Sequence, residues 1–564
     1  MKLIQKLLKR SHSQFARRQS KPGLSLLVAG LLWGAIALPA QAAQRVTIRL
    51  GPFQHSVNIT DLETFARTGQ VSASLKPFES LLTPSVRQML TQRLMLDPTL
   101  GDKVIDNILR SPAGSQIFRS LGMLVPGTNI EQLQAALAIA LRQANELSAI
   151  EVLKAFPEEN ITINASAAVS VALKFNASYL QSQALGPLLE RDLTVPGSFQ
   201  PAFDPAAPGR QSVRQKTLNL HDWKRDRTIP VDLYWADIPV HPYGTNPSPP
   251  GPLVVISHGF GADRSYLAYL AHHLASHGLT VAAIEHPGSN ISWLLDTSNG
   301  RNLQNVVPET EFTDRPRDVS FLLDELEKIN RRPGILRGQL QTDRVTVIGH
   351  SLGGYTALAL GGAQLDLSDL RQYCREQVPI TRSAADWLQC AATDLPNQRQ
   401  SLRDERVVQI MALNPLVGRL FGKRGINQVK VPTLILSSTN DAITPALDHQ
   451  LRPFAQLNSP KYLITAIGGT HLSIGNLSGY PRNNLAYELQ GQPVAPLRQL
   501  LQGVSLAFIK QLTPASETYK PFLSPQYAQY LSTPELPLRF SRSLPGSLSE
   551  WVEMAALLNW LRLG

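Results

Sequence analysis

Cysteine is nearly absent: the 564-residue chain has two, Cys374 and Cys390. So few exclude a disulfide-dense scaffold and a cysteine-rich metal site, and leave room for one bridge within the chain. Charged residues are scarce as well, 17% against 43% hydrophobic, the balance of a chain with a packed core rather than a disordered one. Acidic residues are missing altogether before Asp61. Lys2, Lys6, Lys9, Arg10, Arg17, Arg18 and Lys21 fall in that stretch, so seven of the net +11 charges sit at one end and +4 is left for the rest. The basic character is local, and a nucleic-acid-binding surface is not expected. A run long enough to cross a membrane is lacking too, since the apolar stretch Leu24 to Leu38 falls short of the ~20 residues a span needs.

That basic region, the apolar stretch and the small residues of Pro39-Ala40-Gln41-Ala42-Ala43 together read as a secretory signal peptide over residues 1–42, cut after Ala42. An uncleaved anchor is the alternative. Export leads to a periplasmic or extracellular location, where Cys374 and Cys390 would be expected to pair; two unrelated buried thiols are the alternative.

Residues 43–205 form a mainly helical N-terminal domain. Arg45 to Leu50 and Ser56 to Ile59 alternate around Gly51-Pro52 as a small hairpin. Capping boxes at Thr60-Asp61-Leu62-Glu63 and Thr128-Asn129-Ile130-Glu131 open helices, and the extended stretch 161–176 returns toward the hairpin. This domain carries no Ser/His/Asp constellation and no metal-ligand spacing. The proline-rich stretch Pro196 to Gly209 supplies a linker.

Residues 206–513 read as the catalytic domain, with a lid-like insertion at 364–406, and residues 514–564 as a C-terminal extension. Leu253 to Ser257, Leu279 to Ile284, Val345 to Ile348, Val407 to Leu413, Pro432 to Ser437 and Lys461 to Ile467 are apolar strands alternating with helices. Continuous apolar strands of that kind argue an α/β fold, a mostly parallel sheet with helices on both faces. The extension ends in the amphipathic segment Leu548 to Leu561, with Trp551 and Trp560, which packs on the protein or makes peripheral membrane contact.

Within this pattern Gly349-His350-Ser351-Leu352-Gly353 joins a strand to an alanine-rich helix. A serine at the apex of such a turn exposes its hydroxyl at the carboxyl edge of the sheet, and the flanking glycines let strand and helix pass closely. The turn Ser257-His258-Gly259-Phe260-Gly261 ends an earlier strand, and the backbone N–H groups of Phe260 and Leu352 form the expected oxyanion pair. Asp441 ends one later strand and His471 follows the next, in the chain order serine, acid, base. Ser351, Asp441 and His471 are the candidate nucleophile, orienting acid and base, with an α/β-hydrolase sheet as the fold. His273 and His277 stand four apart on one helix, but no third ligand accompanies them, so no metal site is expected; nor is a cofactor required.

Ser257-His258-Gly259-Phe260-Gly261, His277-Gly278, Val281 to His286, Arg317 to Asp324 and Gly349 to Gly354 resemble the platelet-activating-factor acetylhydrolase and predicted dienelactone hydrolase branch of the α/β-hydrolases, over about residues 215–475. Residues 44–176 resemble the N-terminal domain that precedes such hydrolases in cyanobacteria. The resemblance implies an exported serine hydrolase acting on small-molecule or lipid carboxyl esters. An envelope acyltransferase with the same residues, or a binding protein on a retired hydrolase core, is the alternative. The chain departs from the branch in two places. Asn414 stands in the slot after the strand that follows the elbow helix, where the acetylhydrolases keep their acid, which moves that role to Asp441. Dienelactone hydrolases proper use a cysteine nucleophile where this chain has serine. The insertion is charged rather than greasy, so an interfacial lipase flap is not expected; a disulfide-pinned cap is.

Overall fold

The computed structural model describes residues 43–82 except 51–52, isolated positions and short stretches from 83 to 176, and then 177–237, 251–293, 307–376, 383–396, 401–476 and 494–546, with a few positions beyond. The signal peptide, Trp551 and Trp560, and the helix expected over Gln132 to Phe156 as far as residue 145 lie outside the described residues, and the rest of that helix is instead a strand at Glu146–Leu147 and a short helix at Ala149–Lys154.

In the N-terminal region β1 (Arg45–Leu50) and β2 (Phe53–Asn58) pair antiparallel, and a helix over Ile59–Thr68 follows, stopped by Gly69 at φ 80°. A two-residue ladder joins β3 (Leu94–Met95) to β4 (Glu146–Leu147). β5 (Asn160–Asn164) then pairs parallel with β1, so the start of the extended stretch returns to the hairpin, and residues 165–176 lie outside the described residues. Val46, Ile59, Phe156 and Ile161 close one small core there, and Val57, Phe65, Leu75 and Ile150 another.

The large sheet has nine strands. In chain order they are β6 (Val213–Asp222), β7 (Arg227–Ala236), β8 (Pro252–Ser257), β9 (Thr280–Ile284), β10 (Gln341–His350), β11 (Val407–Leu413), β12 (Thr433–Ser438), β13 (Lys461–Ala466) and β14 (Leu538–Ser541). Their spatial order is β14-β13-β12-β11-β10-β8-β9-β7-β6. The central pairings from β9 through β13 are parallel, and antiparallel partners close both edges.

Successive side chains on each central strand enter different cores, which is why these strands read as unbroken apolar runs. Leu253 and Val255 face one side with Ala282, Ile284 and Ile435. Val254 and Ile256 face the other with Val281, Ala283 and Leu434. Helices Glu311–Arg331 and Leu352–Leu360 cover the first face, and Ala268–Ser276 and Ala495–Lys510 the second.

Helix Ala177–Asp192 precedes the proline-rich stretch, yet Leu185 and Leu189, with Leu193 just beyond, are buried in the first of these two cores of the large sheet. Its Ser182 hydroxyl accepts the Leu447 N–H at 3.0 Å, and Gln183 donates to the Asn440 side chain at 3.3 Å. The helix thus belongs physically to the wall behind residues 440–447. Among the described residues no helix is long and apolar enough to cross a membrane.

Candidate active site

The turn after β10 forces Ser351 to φ 55° and ψ −117°, a conformation L-residues seldom adopt and one that costs about 1–3 kcal/mol. Its backbone N–H donates to Leu413 O at 3.0 Å, and its carbonyl accepts from Gly354 at 2.9 Å and Leu416 at 3.0 Å, which hold the strained residue in place. The glycines are required by space. A Cβ on Gly349 would lie 1.9 Å from Gly353 O, and one on Gly353 only 2.1 Å from Ser257 O.

The second glycine turn lies against this serine: a Cβ on Gly259 would stand 3.1 Å from both Ser351 Cβ and His350 Nδ1. Among the described residues neither the Phe260 nor the Leu352 backbone N–H is spent on a protein acceptor. Two free donors beside an exposable hydroxyl are what charge developing on a substrate oxygen needs.

His471 and Asp441 are in direct contact, Nδ1 to Oδ2 at 2.9 Å. Asp441 is completely buried and enclosed by donors. Oδ1 accepts the Ile443 and Thr444 N–H groups at 3.0 and 2.7 Å. Oδ2 accepts the Thr444 hydroxyl at 2.7 Å and the Asn414 and Gln450 amides, both at 3.0 Å. Burial alone would raise the pKa of this carboxyl. The His471 imidazole and the Thr444 hydrogen bonds outweigh it and hold the group below the ordinary carboxylate value. A carboxylate at Nδ1 fixes the proton there and leaves Nε2 as the free base.

His350, beside Ser351, is tied to the same loop: its Nε2 lies 3.0 Å from the His471 carbonyl, and the two rings are 4.6 Å apart. Burial and the neighbouring His471 push its pKa down to about 3, so it donates as a neutral ring while stacked on Tyr266. It ties the serine turn to the loop that carries His471.

His286 opens a turn in which its carbonyl accepts the Ser289 N–H at 3.2 Å, and its side chain points inward. It is sealed in the core, with Nδ1 3.0 Å from Asp318 Oδ2 and Nε2 3.0 Å from Ser257 Oγ. Ser257, His286 and Asp318 repeat the hydrogen-bond order of a catalytic triad, but all are fully buried, so no substrate reaches them. Arg225 and Arg227 pair with Asp318 at 2.7 and 2.9 Å. Sequence reasoning passed over this network and the Thr444 and Gln450 donors. The one available signal was Arg315 and Asp318 falling on the apolar side of an amphipathic helix.

His273 and His277 touch edge to face at 4.8 Å, and among the described residues no group of three or more His, Cys, Asp or Glu could hold a metal ion. Cys374 and Cys390 form a disulfide with 5.8 Å between their Cα atoms. It joins helix Ser368–Glu376 to helix Ala384–Cys390, whose Ser383 and Asp386 make a reciprocal capping box. The second helix docks beside the acid: Ala385 N–H donates to Ile443 O at 3.0 Å.

A family model described as "Alpha/beta hydrolase family" matches residues 253–477, and one described as "Alpha/beta hydrolase of unknown function" matches residues 42–164. The chain is 29% identical to the platelet-activating factor acetylhydrolase of Cavia porcellus, over 19% of this chain and 31% of the relative. For the same enzyme of Canis lupus familiaris the identity is 31%, over the same shares. Cutinase 2 of Thermobifida cellulosilytica is 24% identical over 48% of this chain and 72% of its own. The chain therefore spans about a third of the length of the acetylhydrolase relatives. With its nine-stranded sheet, serine turn and both family matches in agreement, the chain belongs to the α/β-hydrolase superfamily and carries that superfamily's N-terminal domain of unknown function.

Proposed function

We propose that this protein is an exported serine hydrolase that cleaves carboxyl esters through an acyl-enzyme on Ser351. What supports the reading is a strained serine with two backbone donors that have no protein acceptor among the described residues, and a buried His471–Asp441 pair whose loop is tied to the serine turn through His350. The names of the relatives, acetylhydrolase and cutinase, favour an ester as substrate. Export is favoured by the basic, apolar and small-residue order of the first 42 residues and by a disulfide suited to an oxidising compartment.

In this reading Ser351 Oγ attacks the acyl carbon while His471 Nε2 removes its proton. The carbonyl oxygen gains charge opposite the Phe260 and Leu352 N–H groups. His471 then protonates the departing alcohol and later activates the water that releases the acid. Asp441 keeps the imidazole in the needed tautomer and stabilises its charged form. No step calls on a metal or a cofactor.

The test is hydrolysis of p-nitrophenyl esters from acetate to palmitate by the mature protein and by Ser351→Ala, together with labelling by a fluorophosphonate. Turnover lost by at least about 1000-fold in the variant, with the label on Ser351, is the expected result. A folded wild type that neither turns over any ester nor takes the label overturns it.

A further inference from the structure

Arg315 is completely buried on helix Glu311–Arg331, yet it makes no close ion pair among the described residues. Its one strong hydrogen bond runs from an Nη to the carbonyl oxygen of His258 at 2.5 Å, while Nε and the other Nη have no partner. A guanidinium kept in a core with donors unspent is a poor way to stabilise a fold, since an apolar side chain of similar volume fills the same space at lower cost. Burial lowers its pKa to about 10, with Glu311 and Asp318 opposing the fall, so it stays charged at neutral pH.

What it holds is the start of the turn that carries the Phe260 N–H. The backbone N–H of His286 donates to His258 Nε2 at 3.0 Å, which places the ring proton on Nδ1. That proton is donated to the Gly259 carbonyl at 2.6 Å. The Gly259 carbonyl and the Phe260 N–H belong to one planar peptide and point in opposite directions, so fixing the one aims the other. Arg315 pins the residue whose ring does the fixing, and the Ser257–His286–Asp318 relay locks that ring from behind.

We propose that Arg315 is a positioning residue for ester hydrolysis: through His258 it sets the direction of the Phe260 N–H toward the oxyanion. The proposal rests on the esterase reading above and names a residue outside the serine, acid, base and backbone donors.

The test compares wild type, Arg315→Met and Arg315→Lys on matched esters and thionoesters, with melting temperatures and the fraction of Ser351 labelled by fluorophosphonate. A thionoester puts sulfur where the oxyanion forms, so a misaimed donor lowers the oxygen-to-sulfur rate ratio, which simple loosening of the fold does not. In folded Arg315→Met kcat is expected to fall about 10- to 100-fold with KM unchanged, and the ratio to fall with it. Arg315→Lys, with a single donor nitrogen and a shorter reach, should lie between. Wild-type kcat in Arg315→Met, or a reduced kcat with an unchanged ratio, overturns the proposal. Should the methionine variant fail to fold, Arg315→Lys with wild-type kcat and ratio overturns it equally. An inert wild type removes the esterase reading and this role together, whereas an active wild type with unaffected variants removes this role alone.

Discussion

Asn414 donates its side-chain N–H to Asp441 Oδ2 at 3.0 Å, so the residue in the slot where the acetylhydrolase branch keeps its acid sits in contact with the acid proposed here. Asn414 adopts φ 45°, one of few non-glycine residues in that region among the described residues, and its carbonyl lies 3.2 Å from the Thr444 hydroxyl oxygen, which donates to Asp441 Oδ2. The two slots therefore meet at the carboxylate oxygen that faces the His471 imidazole, and the carboxylate is expected to be movable between them. Asp441→Asn should lower kcat by about 10³- to 10⁴-fold. Adding Asn414→Asp to that variant should restore at least about tenfold of the loss, because a carboxylate returns within reach of His471. Asn414→Asp alone, with two carboxylates in contact, should be less active than wild type. Steady-state kcat/KM on one ester decides it; a double variant no better than Asp441→Asn would mean that the Asn414 slot cannot serve the base.

The elbow glycines make a stability prediction with a built-in control. Gly353→Ala would put a methyl 2.1 Å from the Ser257 carbonyl, and that carbonyl cannot retreat without moving the turn that follows it. A loss of about 3 kcal/mol or more is expected. Gly546 has nothing within 4 Å of the same added atom, so Gly546→Ala should lie within about 0.5 kcal/mol of wild type. Urea midpoints compared at equal slope are the measurement, and equal midpoints for the two variants would contradict the steric reading.

What was legible in the sequence follows from the range of each interaction. The strand, turn and helix around Ser351 are set by neighbours in the chain, and the apolar runs announce strands buried on both faces. The order of elements gave the parallel sheet for the same reason. Helix Ala177–Asp192 was placed with the N-terminal domain because its sequence neighbours lie there, but the core that buries Leu185 and Leu189 is built mostly by residues far along the chain. Composition at Pro196 to Gly209 marks a linker, not what packs on either side of it. The buried network of Arg315, His258, His286 and Asp318 was opaque for a related reason. A charged helix residue is ordinarily a solvated one, and only the tertiary structure shows which charges are enclosed.

Acid should weaken the fold before it removes the carboxylates. Burial, followed by the nearby Arg315 charge, holds His258 and His286 far below the ordinary imidazole pKa; burial takes His350 to about 3 and His273 to about 4. Each is neutral when folded and binds a proton readily only when unfolded, near pH 6.5. Their contribution is whole above about pH 6.5 and is lost as pH falls below it. Asp441, lowered in the folded state, adds loss of the same sign below about pH 4. Thermal melts should show a clear drop in Tm from pH 7.5 to pH 5, and His273→Leu should flatten that slope. A Tm independent of pH across this interval would mean these rings are not buried neutral.

The insertion offers a separate handle on specificity. Its disulfide closes a loop of sequence separation 16, worth about 3 kcal/mol in chain-entropy terms, and the helix it pins meets the acid loop directly. Beyond the bond from Ala385 to Ile443, Asp386 lies buried 3.6 Å from His449 Nε2, and Ala384 packs with Tyr179 and Ala442. Breaking the bridge should loosen the far side of this cap while the contacts at Ile443 keep Asp441 in place. Cys374→Ala/Cys390→Ala is therefore expected to hydrolyse p-nitrophenyl acetate within about threefold of wild type and to be cut faster by protease within 364–406. Its rates on longer acyl chains should change more than that on acetate, because the cap, not the serine turn, would bound the acyl group. An acyl-length profile superimposable on that of the wild type, in a variant shown to lack the bridge, would mean that the cap has no part in selecting the substrate.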